Sequence, residues 1–245
     1  GYVDIRILEG GASAWEAAGF TLYQGVNVPS KTFGELVEHF CHTPAITASE
    51  LHEMQMRGDN LILLDGRTAE EYSNFNIPGG ISCPNAELPL RFDALVDDPA
   101  TTVVINCAGR TRSIIGAQTL IDFGVTQKVL ALENGTQGWA LADLELEKGA
   151  DRFAPEELSE AMLEAAKARA QRLATDQDIA FVDYSMLTTW LQDNGRTTYL
   201  IDVRSRAEFE SGHIPGACHV PGGQLVQATD LAVGVLGGRI VICDD

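Results

Sequence analysis

The sequence predicts an α/β protein with a mainly parallel sheet wrapped by helices, built from tandem copies of one unit, one complete and two partial. Two observations predict this fold class. Apolar runs without polar alternation, at residues 60–65 and 101–107, are typical of parallel strands buried on both faces. Helical segments alternate with these strands, and parts of the pattern occur twice along the chain.

The middle of the chain contains the whole alternation of strands and helices. Each predicted strand is short and rich in β-branched or aliphatic residues, and each predicted helix carries apolar residues at helical spacing. Gly124 is a typical helix-ending residue. The predicted elements are strand 60–65, helix 69–75, strand 101–107, helix 112–124, strand 129–132 and helix 136–144.

Two pairs of segments match each other along the chain. One pair is LLDGRTAEEYSNFNIPGGISCPNAEL, from Leu63, and LIDVRSRAEFESGHIPGACHVPGGQL, from Leu200, which align without gaps. The other pair is ILEGGASAWEAAGFTLYQG, from Ile7, and ALENGTQGWALADLELEKG, from Ala131. The early copy therefore matches the end of a unit and the late copy matches the beginning of one.

These matches predict five segments. Residues 1–25 are the tail of a first unit, residues 26–44 are a linker with a short helix, and residues 45–150 are the complete unit. Residues 151–178 are predicted to form an inter-domain helix, and Pro155 stands at its expected start. The alternative is a helix that binds a partner. Residues 179–245 are the first part of a further unit.

Composition excludes several classes of protein. The chain of 245 residues has a formal net charge of −18, which argues against a nucleic-acid-binding surface. No window approaches the roughly 18 apolar residues of a membrane span, and the charged first residues do not resemble a signal peptide. Five cysteines without regular spacing indicate free thiols in a cytoplasmic protein, and no cluster of metal ligands stands out.

Cys107 lies where the strand at 101–107 ends and a helix begins. Backbone N–H groups of the short loop and the helix N-terminus would form a cradle for an anion, and a thiol there is expected to ionise more readily. Arg110 and Arg112 add two fork-shaped cations suited to oxyanions. The pattern predicts a reactive sulfur with an anionic substrate, whereas Cys41, Cys83 and Cys218 have no such surroundings and are interpreted as ordinary small apolar residues.

These residues resemble the rhodanese family of sulfurtransferases. CAGRTR, from Cys107, resembles the six-residue active-site loop of the family, and DGRTAEEY…IPGG, from Asp65, resembles its D-x-R-x-x-x-E-[FY]…H-I-P-G-A segment. The order of the parts resembles bacterial proteins with several rhodanese domains in tandem. One departure is Asn76, which stands where the family often has histidine, and it does not put activity in doubt.

The resemblance implies a thiosulfate sulfurtransferase that needs no cofactor or metal. Cys107 would take sulfane sulfur from thiosulfate or a similar small anionic donor and pass it to a thiol, to cyanide or to a sulfur-accepting protein. Backbone groups of the loop would bind the donor, with Arg110 and Arg112 on its sulfonate oxygens. The implied binding residues are Ala108, Gly109, Arg110, Thr111 and Arg112.

Three further residues are candidates for supporting roles. Arg67 either serves the site or, as we favour, pairs with Glu71 four residues later. Asp65 either orients the loop or caps a helix, and Arg91 lies either at the substrate mouth or on the solvated surface. In the last unit the repeat aligns Cys107 with Asp244, although a slip of one residue would place Cys243 there, and we interpret that unit as degenerate.

Two other functions compete with sulfur transfer. Certain cell-cycle phosphatases share this fold and have a cysteine-to-arginine loop that is one residue longer, which leaves room for a phosphate. The shorter CAGRTR loop favours sulfur chemistry. A non-catalytic scaffold is the other alternative, and the intact Cys107 loop argues against it for the middle unit. A persulfide carrier that hands sulfur to a partner protein lies between enzyme and scaffold, and the sequence fits it as well as it fits a small-molecule sulfurtransferase.

Overall fold

The computed structural model describes residues 6–22 and 28–244. Residues 1–5 and 23–27 of the predicted tail and linker, and Asp245, lie outside the described residues. The elements, in chain order, are α1 Gly11–Ala17, α2 Val28–Cys41, β1 Ala45–Ile46, α3 Ala48–Arg57, β2 Leu61–Asp65, α4 Ala69–Asn74, β3 Ile81–Ser82, α5 Leu88–Leu95, β4 Thr102–Asn106, α6 Thr111–Asp122, β5 Lys128–Leu132, α7 Gly135–Leu141, α8 Glu160–Asp176, α9 Tyr184–Gln192, β6 Thr198–Asp202, α10 Arg206–Ser211, β7 Cys218–His219, α11 Gly222–Gln227, α12 Thr229–Ala232 and β8 Arg239–Cys243.

A five-stranded parallel sheet forms the centre of the middle unit. Its strand order is β1-β5-β4-β2-β3, and every neighbouring pair is parallel. The central strands β2 and β4 are aligned along their whole length, so that Asp65 lies opposite Asn106 at their carboxyl ends. The predicted parallel α/β architecture is confirmed, and the two strand ends that carry candidate residues meet at one edge of the sheet.

Apolar side chains cover both faces of this sheet, as expected for strands without polar alternation. One core lies between the sheet and helices α5 and α6, where Phe92 and Leu120 are buried. The other lies under α3 and α7, where Leu51 and Trp139 are buried. The sheet therefore holds the carboxyl end of β4 between two packed layers.

The last unit repeats the first part of this architecture. Its parallel sheet has the order β7-β6-β8. Asp202 lies opposite Cys243 in this sheet, as Asp65 lies opposite Asn106 in the other. The strand register therefore makes Cys243 the equivalent of Asn106 and Asp244 the equivalent of Cys107.

The helix in the tail segment reproduces α7 of the middle unit. Trp15 Nε1 donates to the carbonyl oxygen of Thr21 at 3.1 Å, and Trp139 Nε1 donates to that of Glu145 at 3.0 Å. The residues before the two helices have positive φ, at Gly10 and Asn134. The sequence match between the two segments therefore corresponds to a shared local structure.

The helices of the two connecting segments differ from the prediction. The first is longer than the predicted short helix, and the second begins later than predicted. The linker helix α2 has 14 residues and packs along α6, where Thr43 Oγ1 donates to Gln118 Oε1 at 2.8 Å. The predicted helix start at Pro155 is wrong, because α8 begins only at Glu160, with Ser159 as its N-cap. The carbonyl groups of Pro155 and Glu156 instead accept hydrogen bonds from Arg91, which hold that segment in a non-helical path.

Candidate active site

Cys107 follows β4 directly and is 2% exposed, and α6 begins four residues later at Thr111. The strand places the sulfur at the carboxyl edge of the sheet, and the helix directs its N-terminal end toward the same loop. Within the described part of the chain, the N–H groups of residues 108–113 donate no hydrogen bond to another protein group. These donors therefore remain available to a bound anion.

The carbonyl groups of the loop are held by the start of α7. Thr136 N donates to the carbonyl oxygen of Cys107 at 2.8 Å, and Gln137 N donates to that of Ala108 at 3.1 Å. Gly135 has φ +50°, and a Cβ there would lie 2.1 Å from the carbonyl oxygen of Cys107. Only glycine permits this approach, which fixes the loop carbonyls on the α7 side.

Ser113 contacts the sulfur of Cys107 directly, although no role was predicted for it from the sequence. Its side chain is fully buried, and its Oγ donates to Cys107 Sγ at 3.1 Å. A hydroxyl donor at this distance stabilises negative charge on sulfur. Its position in the first turn of the helix that follows the cysteine is the signal that could have identified it.

The two arginines of the loop have different partners. Arg112 makes a two-pronged ion pair with Glu71, from Nη1 to Oε2 and from Nη2 to Oε1, each at 2.8 Å. This pairing lowers the pKa of Glu71 to about 2. It also raises the pKa of Arg112, and the nearby Cys107 and Asp65 add to this increase. Arg112 therefore lies within electrostatic range of Cys107.

Arg110 lies at the more exposed side of the loop. Its side chain is 47% exposed and contacts two carboxylates of the linker helix α2, Glu38 through Nη2 and Glu35 through Nε at 3.6 Å. The hydrogen bond to Glu38 raises the pKa of Arg110. An anion that uses Arg110 must therefore compete with Glu38.

Arg67 forms a buried ion pair with Asp65 and not with Glu71, so the predicted partner is wrong. Both side chains are 1% exposed, and Arg67 Nη2 lies 2.7 Å from Asp65 Oδ2. Asn106 Nδ2 also donates to Asp65, at 3.0 Å. The i, i+4 spacing suggested Glu71, but that carboxylate is engaged by the loop. Asp65 links the ends of β2 and β4 beneath the loop.

Arg91 lies at the connector and binds it. Its Nε donates to Glu87 at 2.9 Å, and its Nη1 donates to the carbonyl groups of Pro155 and Glu156. Its side chain is only 20% exposed. These contacts do not fit the interpretation as a solvated surface arginine, because they hold the connector against α5.

A family model for the rhodanese-like domain matches residues 47–142 and 183–235, which together make up more than half of the chain. This chain belongs to the rhodanese-like family. The two matched segments correspond to the middle and last units, in agreement with tandem copies of a rhodanese fold. The six-residue loop from Cys107 lies inside the first matched segment.

Two known proteins illustrate this membership. The crystal structure of a thiosulfate sulfurtransferase from Pseudomonas aeruginosa is 47% identical, with a TM-score of 0.92, over all of this chain and 46% of that chain. An HTH-type transcriptional regulator of Mycobacterium tuberculosis is 34% identical over 106 residues, which are 43% of this chain and 46% of that protein. This rhodanese-like chain thus spans about half the length of the sulfurtransferase, and the matched residues cover about half of the transcriptional regulator.

Among residues 6–22 and 28–244, no helix is long and apolar enough to cross a membrane. In the same residues, no group of three or more His, Cys, Asp or Glu side chains is arranged to hold a metal ion.

Proposed function

We propose that the middle unit is a sulfurtransferase that moves sulfane sulfur from thiosulfate, or a similar anionic donor, through a persulfide on Cys107. The observation that carries the proposal is the environment of the Cys107 sulfur. The buried Ser113 hydroxyl donates to it at 3.1 Å, and the N–H groups of the neighbouring loop donate to no other described group. The 47% identity to a thiosulfate sulfurtransferase over the whole of this chain supports the same chemistry.

The reaction has two balanced steps. The Cys107 thiolate attacks the outer sulfur of thiosulfate, the sulfur–sulfur bond of the donor breaks, and its electron pair leaves with sulfite. An acceptor thiolate or cyanide then attacks the outer sulfur of the persulfide, forms a new persulfide or thiocyanate, and regenerates the Cys107 thiolate. The N–H groups of the loop stabilise the charge on the persulfide between the two steps.

The remaining parts of the proposal follow from the same site. Loop residues 108–112 bind the donor, with the cations Arg110 and Arg112 attracting it. The acceptor is a thiol, cyanide or a sulfur-accepting protein. The described cysteines form no disulfide bonds, which suits a reducing compartment, so we place the reaction in the cytoplasm.

The test is the intact mass of the protein after incubation with thiosulfate, with sulfite release measured in parallel. We expect a gain of one sulfur atom that dithiothreitol reverses, that Cys107→Ser abolishes and that Cys41→Ser retains. Cys41 is the matched control because it is an exposed free thiol outside the loop. An unmodified wild-type thiol with several sulfane donors, together with hydrolysis of an aryl phosphate, would contradict sulfur transfer and favour the phosphatase.

A further inference from the structure

Glu71 is held in place from two sides. As the third residue of α4 it completes a capping box, in which its Oε2 accepts from Thr68 N and Thr68 Oγ1, each at 3.2 Å. The same carboxylate accepts both prongs of Arg112 at 2.8 Å. The carboxylate cannot rotate toward one partner without breaking its bonds to the other, so it fixes Arg112 relative to α4.

The backbone of Arg112 is held as well. Asn85 Nδ2 donates to its carbonyl oxygen at 2.8 Å. The amide of Asn85 occupies the space that side chains at Gly66 and Gly116 would fill, since a Cβ at these positions would lie 1.9 Å and 2.5 Å from Asn85 Oδ1. Both the main chain and the side chain of Arg112 are therefore anchored by elements outside the loop.

The anchoring leaves Arg112 able to bind an anion. A guanidinium group has five N–H bonds, and the pairing with Glu71 uses two of them. The side chain of Arg112 is 21% exposed, so the remaining donors are accessible. An ion pair that fixes a cation without covering it orients those donors for a substrate.

We propose, on the basis of the sulfurtransferase function above, that Glu71 is the positioning residue that aims Arg112 at the sulfonate oxygens of the anionic donor. Negative charge increases on these oxygens as sulfite leaves, so the position of Arg112 matters most in the transition state. Glu71 acts through Arg112 and does not itself contact the donor.

The experiment measures sulfite release by Glu71→Gln in the full chain. Glutamine at this position still forms a capping box with Thr68 but loses the charge that holds Arg112. We expect kcat per loaded site to fall about tenfold, with KM for thiosulfate changed less than about threefold, because the freed cation still attracts the donor. The number of loaded sites is taken from the persulfide mass, which corrects for any unfolded fraction.

Two further variants make the result specific. Glu208→Gln is the matched control, because Glu208 forms the same capping box with Ser205 in the unit where Asp244 replaces the nucleophile. It should leave kcat unchanged. In an Arg112→Lys background, Glu71→Gln should cost less than twofold, since lysine cannot make the two-pronged pair that Glu71 holds.

The outcomes separate the two proposals. If the wild-type protein takes no sulfur from thiosulfate, the proposed function fails whatever Glu71 does. If the wild type is loaded with sulfur but Glu71→Gln leaves kcat unchanged, Glu71 does not act through Arg112. The same follows if Glu71→Gln lowers kcat by the same factor in the wild type and in the Arg112→Lys background. Either of these last two results overturns the inference and leaves sulfur transfer standing.

Discussion

Replacing Arg67 with methionine should destabilise the middle unit strongly without touching the loop. Arg67 donates to Asp65 through Nε at 2.9 and 3.1 Å and through Nη2 at 2.7 Å, and to the carbonyl oxygen of Phe75 at 2.6 Å. In Arg67→Met, Asp65 keeps the bond from Asn106 and that from the backbone N–H of residue 67. Its buried charge is then uncompensated, which costs about 3–5 kcal/mol.

Hydrogen exchange read peptide by peptide is the assay, because a chain of several units need not unfold in one step. A loss of 3–5 kcal/mol raises the population of the open state by roughly 10² to 10³ or more, and the amides of β4 should exchange faster by that factor. Arg204→Met is the matched control. Arg204 pairs with Asp202 at the same distance, 2.7 Å, but its side chain is 16% exposed, so we expect a smaller effect, confined to β6 and β8.

A second variant tests the cause of the loss. Asp65→Leu combined with Arg67→Met removes both charges, and it should recover part of the stability because no unpaired charge remains. If Arg67→Met changes exchange in β4 by less than about threefold, the buried pair does not stabilise the unit. If the double variant is less stable than Arg67→Met alone, the unpaired carboxylate is not the source of the cost.

Three further outcomes follow from the structure. Gly135→Ala should abolish sulfur loading measured by mass, because its Cβ would lie 2.1 Å from the carbonyl oxygen of Cys107, whereas Gly11→Ala, with similar φ and open space, should not. Thermal unfolding followed at several pH values should show the wild type losing stability relative to Glu71→Gln only as the pH falls from 4.5 toward about 2. In that range Glu71 binds a proton in the unfolded chain before it does so in the folded chain, where its pKa is about 2. The Glu71 side chain is partly exposed, so the difference in stability should be small. Burial raises the pKa of Cys83 to about 12, so iodoacetamide at about pH 8 should label the exposed Cys41 and reach Cys83 only in urea.

The sequence predicted the long elements of the middle unit within a few residues. Strands at 60–65 and 101–107 correspond to β2 and β4, and the helix at 112–124 corresponds to α6. The two-residue strands β1 and β3 were not predicted, because they are defined only by pairing with distant strands and carry no local pattern. The periodicity of apolar residues identifies a helix or strand that is long enough to bury one face. A two-residue strand that is defined only by its pairing with another strand has no such pattern.

The site was predicted as a loop but not as a set of contacts. Cys107, Gly109 and the two arginines of the loop lie within six residues of the sequence, so a local pattern is enough to identify them. The partners of the arginines come from α2 and α4, at Glu38 and Glu71, and no local rule connects these positions to the loop. The rule of i, i+4 pairing even assigned Glu71 to the wrong arginine, because a carboxylate on a helix surface is free to pair across elements.

The two copies of the unit within one chain separate the needs of the fold from those of the chemistry. The last unit keeps an Asp–Arg pair at the end of its central strand and a capping box on the following helix, although Asp244 occupies the position of Cys107. Those features therefore serve the fold in both copies. At the position of Asn85, by contrast, the last unit has Gly222, and that amide is the one that holds the backbone of Arg112. Because Asn85 holds the backbone of Arg112 and glycine has no side chain to do so, Asn85 is the next position to test beside Glu71.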